Sequence, residues 1–203
     1  MFNLLLDKPP SSVIIGEGVI VNVDTDFRTF IKFEKLMFGS SELSNRDRVL
    51  KSFSLFGDYM PRTSVETNAY MDGILNLYRC GKVQRKLNAK VAEKAKTKPK
   101  APRYFDFDYD SPYIYAAFVE TYGLDLTEAK IHWWKFKALF DALPAECQFS
   151  KIISYRGADI SQIKSKNEKQ RMIKLQHIYA LPRNLSESEK IAEAGRIFSG
   201  GTL

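Results

Sequence analysis

Residues 82–103 decide how the rest of this chain can fold. They hold nine basic side chains (Lys82, Arg85, Lys86, Lys90, Lys94, Lys96, Lys98, Lys100 and Arg103) against one acid, Glu93, and close on Lys-Thr-Lys-Pro-Lys-Ala-Pro-Arg. Proline lacks an N–H and fixes φ, so no helix continues through that end, and the segment offers a core almost no large apolar side chain. A core must therefore come from residues 1–81 and 104–182, with 82–103 as a basic linker or a charged helical arm between them. The net charge of +7 for the whole chain is misleading in this light: the segment alone carries +8, and everything else nets −1.

The flanking parts can afford a core. Of the 203 residues, 44% are hydrophobic and 13% aromatic, enough apolar surface to offset the entropy of ordering one domain or two small ones. The opening Met-Phe-Asn-Leu-Leu-Leu-Asp-Lys-Pro-Pro has too short an apolar run for a signal peptide and no small-residue cleavage site. No segment approaches the roughly 20 apolar residues of a membrane span. The expectation is a protein that stays in the cytosol and does not enter a membrane. Cys80 and Cys147 stand alone, without metal-ligand or redox spacing, and are expected as buried or half-buried thiols.

Residues 1–81 read as a hairpin followed by three helices. Val13-Ile14-Ile15 and Val19-Ile20-Val21 flank Gly16-Glu17-Gly18, a β-branched pair of runs around a turn that tolerates positive φ. The helix expected to cover the hairpin starts at a Thr25 or Asp26 cap and runs through Phe27, Phe30, Ile31, Phe33, Leu36 and Met37. Ser44 caps the second helix, stopped by Gly57, and Thr63 to Glu66 has the capping-box spacing for a third that ends at Gly81.

Residues 104–182 read as a C-terminal helical bundle. Phe105-Asp106-Phe107-Asp108-Tyr109-Asp110 alternates aromatic and acid, the pattern of an edge strand, and leads into Ser111-Pro112 at a helix start capped by Asp110. That helix stops at Gly123. The most apolar helix, residues 131–143, has apolar side chains on two faces, which suits the middle of a bundle. A short helix over residues 149–155, a basic helix from a Ser165/Glu168 capping box to Pro182, and an exposed terminal helix or tail over 183–203 complete a mainly α chain with a small β element.

Little here points to catalysis. Asp106, Asp108 and Asp110 mimic the start of a calcium loop, but Ser111 and Ala117 stand where its glycine and final glutamate belong. His132 has no nucleophile motif to serve and is expected as a core or boundary histidine. No glycine-rich phosphate loop is present in the sequence. The reading is a protein that is not an enzyme, with no metal and no cofactor. The lysine segment holds no aromatic and only two arginines, which favours a solvated spacer over a nucleic-acid grip.

Three runs carry a family resemblance: SPYIYAAFVETYGLDL, IHWWKFKALFDALP, and FSKIISYRGADISQIKSKNEKQRMIKLQHIYALP. Together with NLLLDKPP, the hairpin and NVDTDFRTFIKFE near the start, they resemble the "gene product fifteen" family of siphophages and their prophages. The resemblance implies a protein of the tail-morphogenesis module in the host bacterial cytoplasm. It further implies a tail assembly chaperone that keeps the tape-measure protein soluble, binds the major tail-tube protein, or does both, with possible self-association. On that footing Trp133, Phe136 and Phe140 are the expected apolar partner contacts, with Lys135 and Lys137 at the rim. The rival readings are a nucleic-acid-binding phage protein acting through residues 82–103 and a structural tail component retained in the virion.

Overall fold

A computed structural model describes residues 2–16, 18–39, 43–82 and 104–182. The expected basic linker and the expected terminal helix lie outside the described residues. Within them the chain is mainly α with a small β-hairpin, seven helices in all.

The hairpin forms as its sequence requires. Strands β1 (Ser12–Ile15) and β2 (Val19–Asn22) pair antiparallel, Val13 opposite Val21 and Ile15 opposite Val19. Gly16 and Gly18 take the positive φ of the turn, 51° and 95°. Val13 and Ile15 point inward and are buried, while Ile14 and Ile20 face out as an exposed pair. The helix that covers the hairpin is α3 (Ser64–Tyr78), not the helix that follows it directly. Gly73 is the reason: a Cβ there would meet the Val13 side chain at 2.7 Å, so only glycine lets this helix lie so close to the strand.

The helix ends follow local chemistry. Asp26 caps α1 (Phe27–Phe38) by accepting the Arg28 N–H at 2.9 Å, and Ser44 caps α2 (Asn45–Phe53) through the Asp47 N–H. Thr63 caps α3 through the Glu66 N–H, but the Glu66 carboxylate reaches back to the N–H of Arg62 rather than to the cap residue itself. Helix α4 (Ser111–Tyr122) has Pro112 in its first turn and ends at Gly123 with φ 62°. Helices α5 (Trp133–Asp141), α6 (Gln148–Gly157) and α7 (Lys166–Ile178) follow, the last capped by Ser165.

Three local expectations are corrected. The aromatic/acid alternation is not a strand: residues 107–110 form a turn, because the Asp106 carboxylate captures the N–H groups of Asp108 and Tyr109 at 2.7 and 2.9 Å. Asp110 sits at the N-cap of α4 but makes no side-chain cap bond, its carboxylate being committed to the Arg156 guanidinium at 2.7 and 2.8 Å. The helix expected over 131–143 is also shorter. His132 caps it with Nδ1, and the residues before it run extended beside the start of α1, with Phe27 N–H to Ile131 O at 2.9 Å and Trp133 N–H to Thr25 O at 2.8 Å.

Residues 1–81 and 104–182 do not keep separate cores. The Trp133 ring of α5 stacks on Phe30 of α1, with centroids 5.4 Å apart, and on Tyr78 of α3 at 5.7 Å. The indole N–H groups of Trp133 and Trp134 donate to the Tyr78 and Leu77 carbonyls at 2.8 and 2.7 Å, at the end of α3 where helix carbonyls run out of intrahelical donors; Leu77 O also accepts the Cys80 N–H at 3.0 Å. From there an aromatic chain continues through Phe136, stacked on Phe27 at 4.5 Å and on Phe118 of α4 at 5.2 Å, to Phe140 and Phe149 of α6. One hydrophobic core results.

Candidate functional site

The three apolar side chains expected as partner contacts are buried. Trp133 and Phe136 are each 1% exposed and Phe140 8%. The physical reason is that both apolar faces of α5 are used inside the fold, one against α1 and α3, the other against α4 and α6. Lys135 is exposed, while Lys137 pairs with Asp141 one turn on and lies 5.6 Å over the Phe140 ring. The cluster expected as a partner contact is thus the joint of the molecule.

The titratable candidates are committed in the same way. Asp106 holds its turn, Asp108 pairs with Lys35 of α1 at 2.7 Å, and Asp110 pairs with Arg156. Cys80 is half-buried and Cys147 buried, both free thiols, and burial pushes the Cys80 thiol up from its ordinary value. His132 Nδ1 accepts the Trp134 N–H at 3.0 Å, which leaves Nε2 to donate to the Pro10 carbonyl at 3.0 Å. The neutral ring is therefore built into the fold, and burial holds its pKa below the ordinary 6.5.

A measurable pH dependence follows. Between the lowered folded value and about 6.5 the unfolded chain binds the proton and the folded chain does not, so stability rises with pH across that window. It should be lost as pH falls from 6.5 through the folded value and level off below. Urea midpoints measured from pH 7.5 to pH 5 should show this decline in the parent protein, and His132→Asn, which can still cap, should show less of it.

What the surface does offer is an open groove of about 610 Å³ between α1, the start of α4 and the loop after α4. Phe27 and Ile31, one turn apart on α1, Pro112 and Tyr115 of α4, Leu126 of the loop and the buried Phe136 of α5 line it. Arg28 holds the loop in place. Its guanidinium donates to the carbonyls of Leu126, Thr127 (3.0 Å) and Ala129 (3.1 Å) while pairing with Asp26. Sequence reasoning missed this site because its walls come from positions about 90 residues apart. The only local signal was the Phe27/Ile31 spacing, which core packing explains equally well.

Charge is also more structured than a net of −1 suggests. Residues 104–163 carry five bases against nine acids, whereas residues 164–182 carry five bases against one acid. Those five cations lie on and just before α7, a helix with no buried residue. Among the described residues no helix is long and apolar enough to cross a membrane.

Comparison with known proteins gives a family match. The family model described as Bacteriophage Gp15 protein covers residues 6–181. No curated protein and no solved structure matches the chain.

Proposed function

Because the chain belongs to the Bacteriophage Gp15 protein family, we propose that this phage protein is a non-enzymatic tail assembly factor. In this reading it works in the host cytoplasm and shelters an apolar helical stretch of the tape-measure protein, the tail-tube protein, or both. The supporting observation is the groove between α1 and α4. It is open and mainly apolar, with Arg28, Ser111 and Thr127 as the polar members of its lining, and apolar grooves can bind amphipathic helices by i, i+3, i+4 anchors. A tape-measure protein is a long helical chain whose apolar stripes aggregate when uncovered, and such a groove covers one stripe at a time.

Coexpression tests the reading. The parent chain should raise the soluble fraction of the tape-measure protein several-fold. Ser111→Trp, at an exposed position on the groove edge, should plug the groove and abolish the gain while leaving the thermal melt of the protein itself in place. If the tape-measure protein is equally soluble with and without the parent chain, the proposal fails. If Ser111→Trp is as active as the parent, the groove is not the binding site.

A further inference from the structure

The cations of α7 take no part in holding the fold. Elsewhere Arg28 pairs with Asp26, Lys35 with Asp108, Lys137 with Asp141 and Arg156 with Asp110. Lys164, Lys166, Lys169, Arg171 and Lys174 are all exposed, and none of them has an ion pair among the described residues. Lys166 follows the Ser165 cap directly, at the helix end where the macrodipole favours an anion. Lys166 with Lys169, and Arg171 with Lys174, are like charges three residues apart and therefore neighbours on the helix surface. Such an arrangement weakens an isolated helix and suits an external polyanion.

The body fixes which side of α7 faces out. Gln176 Nε2 donates to the carbonyls of Tyr155 and Ala158 at 3.0 and 2.8 Å, and the Arg156 Nε–H donates to the Tyr179 carbonyl at 2.6 Å. Met172, Leu175 and Gln176 are half-buried and define the inner side. On the other side, at about 100° per residue, Lys166, Gln170, Ile173 and His177 fall in a stripe roughly 60° wide. Lys169 borders that stripe on one flank, Lys174 and Arg171 on the other. At about 1.5 Å per residue the stripe is about 16 Å long.

An acidic protein helix and a nucleic acid are the two polyanions such a face could meet. Helix-on-helix packing needs an apolar seam along the middle, and here the middle is Lys, Gln and His around the single half-exposed Ile173. Duplex DNA matches the pattern better. Its major groove, about 12 Å wide, admits one helix between two phosphate backbones, and base edges there pair with glutamine, lysine and apolar side chains. We propose that α7 binds duplex DNA through the major groove, with Lys169 on one backbone, Arg171 and Lys174 on the other, and Lys166, Gln170 and Ile173 toward the bases. The assignment is independent of the groove between α1 and α4.

The test is fluorescence anisotropy of the full chain with a labelled duplex of about 20 base pairs. The parent should bind with a micromolar Kd at about 50 mM salt and lose affinity steeply toward about 200 mM. Replacing Lys169, Arg171 and Lys174 together by Gln, all at exposed positions, should leave the thermal melt in place and weaken binding at least ten-fold. The slope of log affinity against log salt should become shallower by about 2.7, three phosphate contacts at about 0.9 each. Lys174→Glu alone should weaken binding at least three-fold, which keeps the test valid if the triple variant fails to fold. Methyl green, a major-groove ligand, should compete with the protein, and netropsin, a minor-groove ligand, should not. No binding to the duplex, variants that bind like the parent, a loss seen only when the lysines of residues 82–103 are replaced, or competition by netropsin alone would each overturn the proposal. Binding to poly-L-glutamate but not to the duplex would give this face to an acidic protein and overturn it as well.

Discussion

Arg156→Ala should lower the unfolding free energy by about 3 to 5 kcal/mol, the cost of leaving a buried charge without its partner. The Asp110 carboxylate is 0% exposed and accepts three hydrogen bonds, two from the Arg156 guanidinium and one from the Asp106 N–H. The same guanidinium donates to the carbonyls of Tyr104 and Tyr179. One side chain thus ties together the entry to α4, the last turn of α6 and the exit from α7. For a chain of this size the loss corresponds to a fall in Tm of roughly 6 to 20 °C. Removing both charges with Asp110→Leu and Arg156→Met should recover most of it, because a buried ion pair replaced by apolar groups of similar volume is close to neutral. A loss below 1 kcal/mol for Arg156→Ala in a urea titration would show that the pair does not hold these elements together.

Trp133→Ala is the second large effect, again about 3 to 5 kcal/mol. The indole fills the space between Phe30 and Tyr78, and its N–H donates to the part-buried Tyr78 carbonyl, so truncation leaves a cavity and takes away that carbonyl's N–H donor. Lys135→Ala, two residues on and exposed, should stay within about 0.5 kcal/mol of the parent. The contrast separates the two assignments of this helix. A Trp133 that served as a surface contact would leave stability unchanged and affect only binding.

The features legible in the sequence are those whose cause is local. Asp26, Ser44, Thr63 and Ser165 cap helices because a short polar side chain finds N–H groups two or three residues on. Gly123 and the hairpin glycines take backbone conformations that few other residues tolerate. The family resemblance over the second half is likewise a matter of residues in order, and the family match over residues 6–181 agrees with it. Where the cause is distant, the pattern misled. The two apolar faces of α5 were legible, but not that one of them is filled by α1 and α3 across the basic segment. The alternation of residues 105–110 has strand periodicity, yet each aspartate has a partner that pleating would break: a turn N–H, Lys35, Arg156. The groove could not be read at all, since Phe27, Tyr115 and Leu126 become neighbours only after α1, α4 and their loop have assembled.

The shared core has a consequence for the order of events at the ribosome. Phe30 and Tyr78 are covered by Trp133, which is translated more than 50 residues after α3 is complete. At about 5 to 20 residues per second this is an interval of several seconds. During it the hairpin and α3 can pair, because Val13 and Gly73 meet within residues 1–81, and Phe56 and Tyr78 can cover Phe33 and part of Phe30, but Phe27 and the side of Phe30 that Trp133 covers stay wet until α5 emerges. The basic stretch between them is then the part of the nascent chain that separates an unfinished apolar surface from the segment that will close it, and its charge keeps that waiting intermediate from clustering with its neighbours.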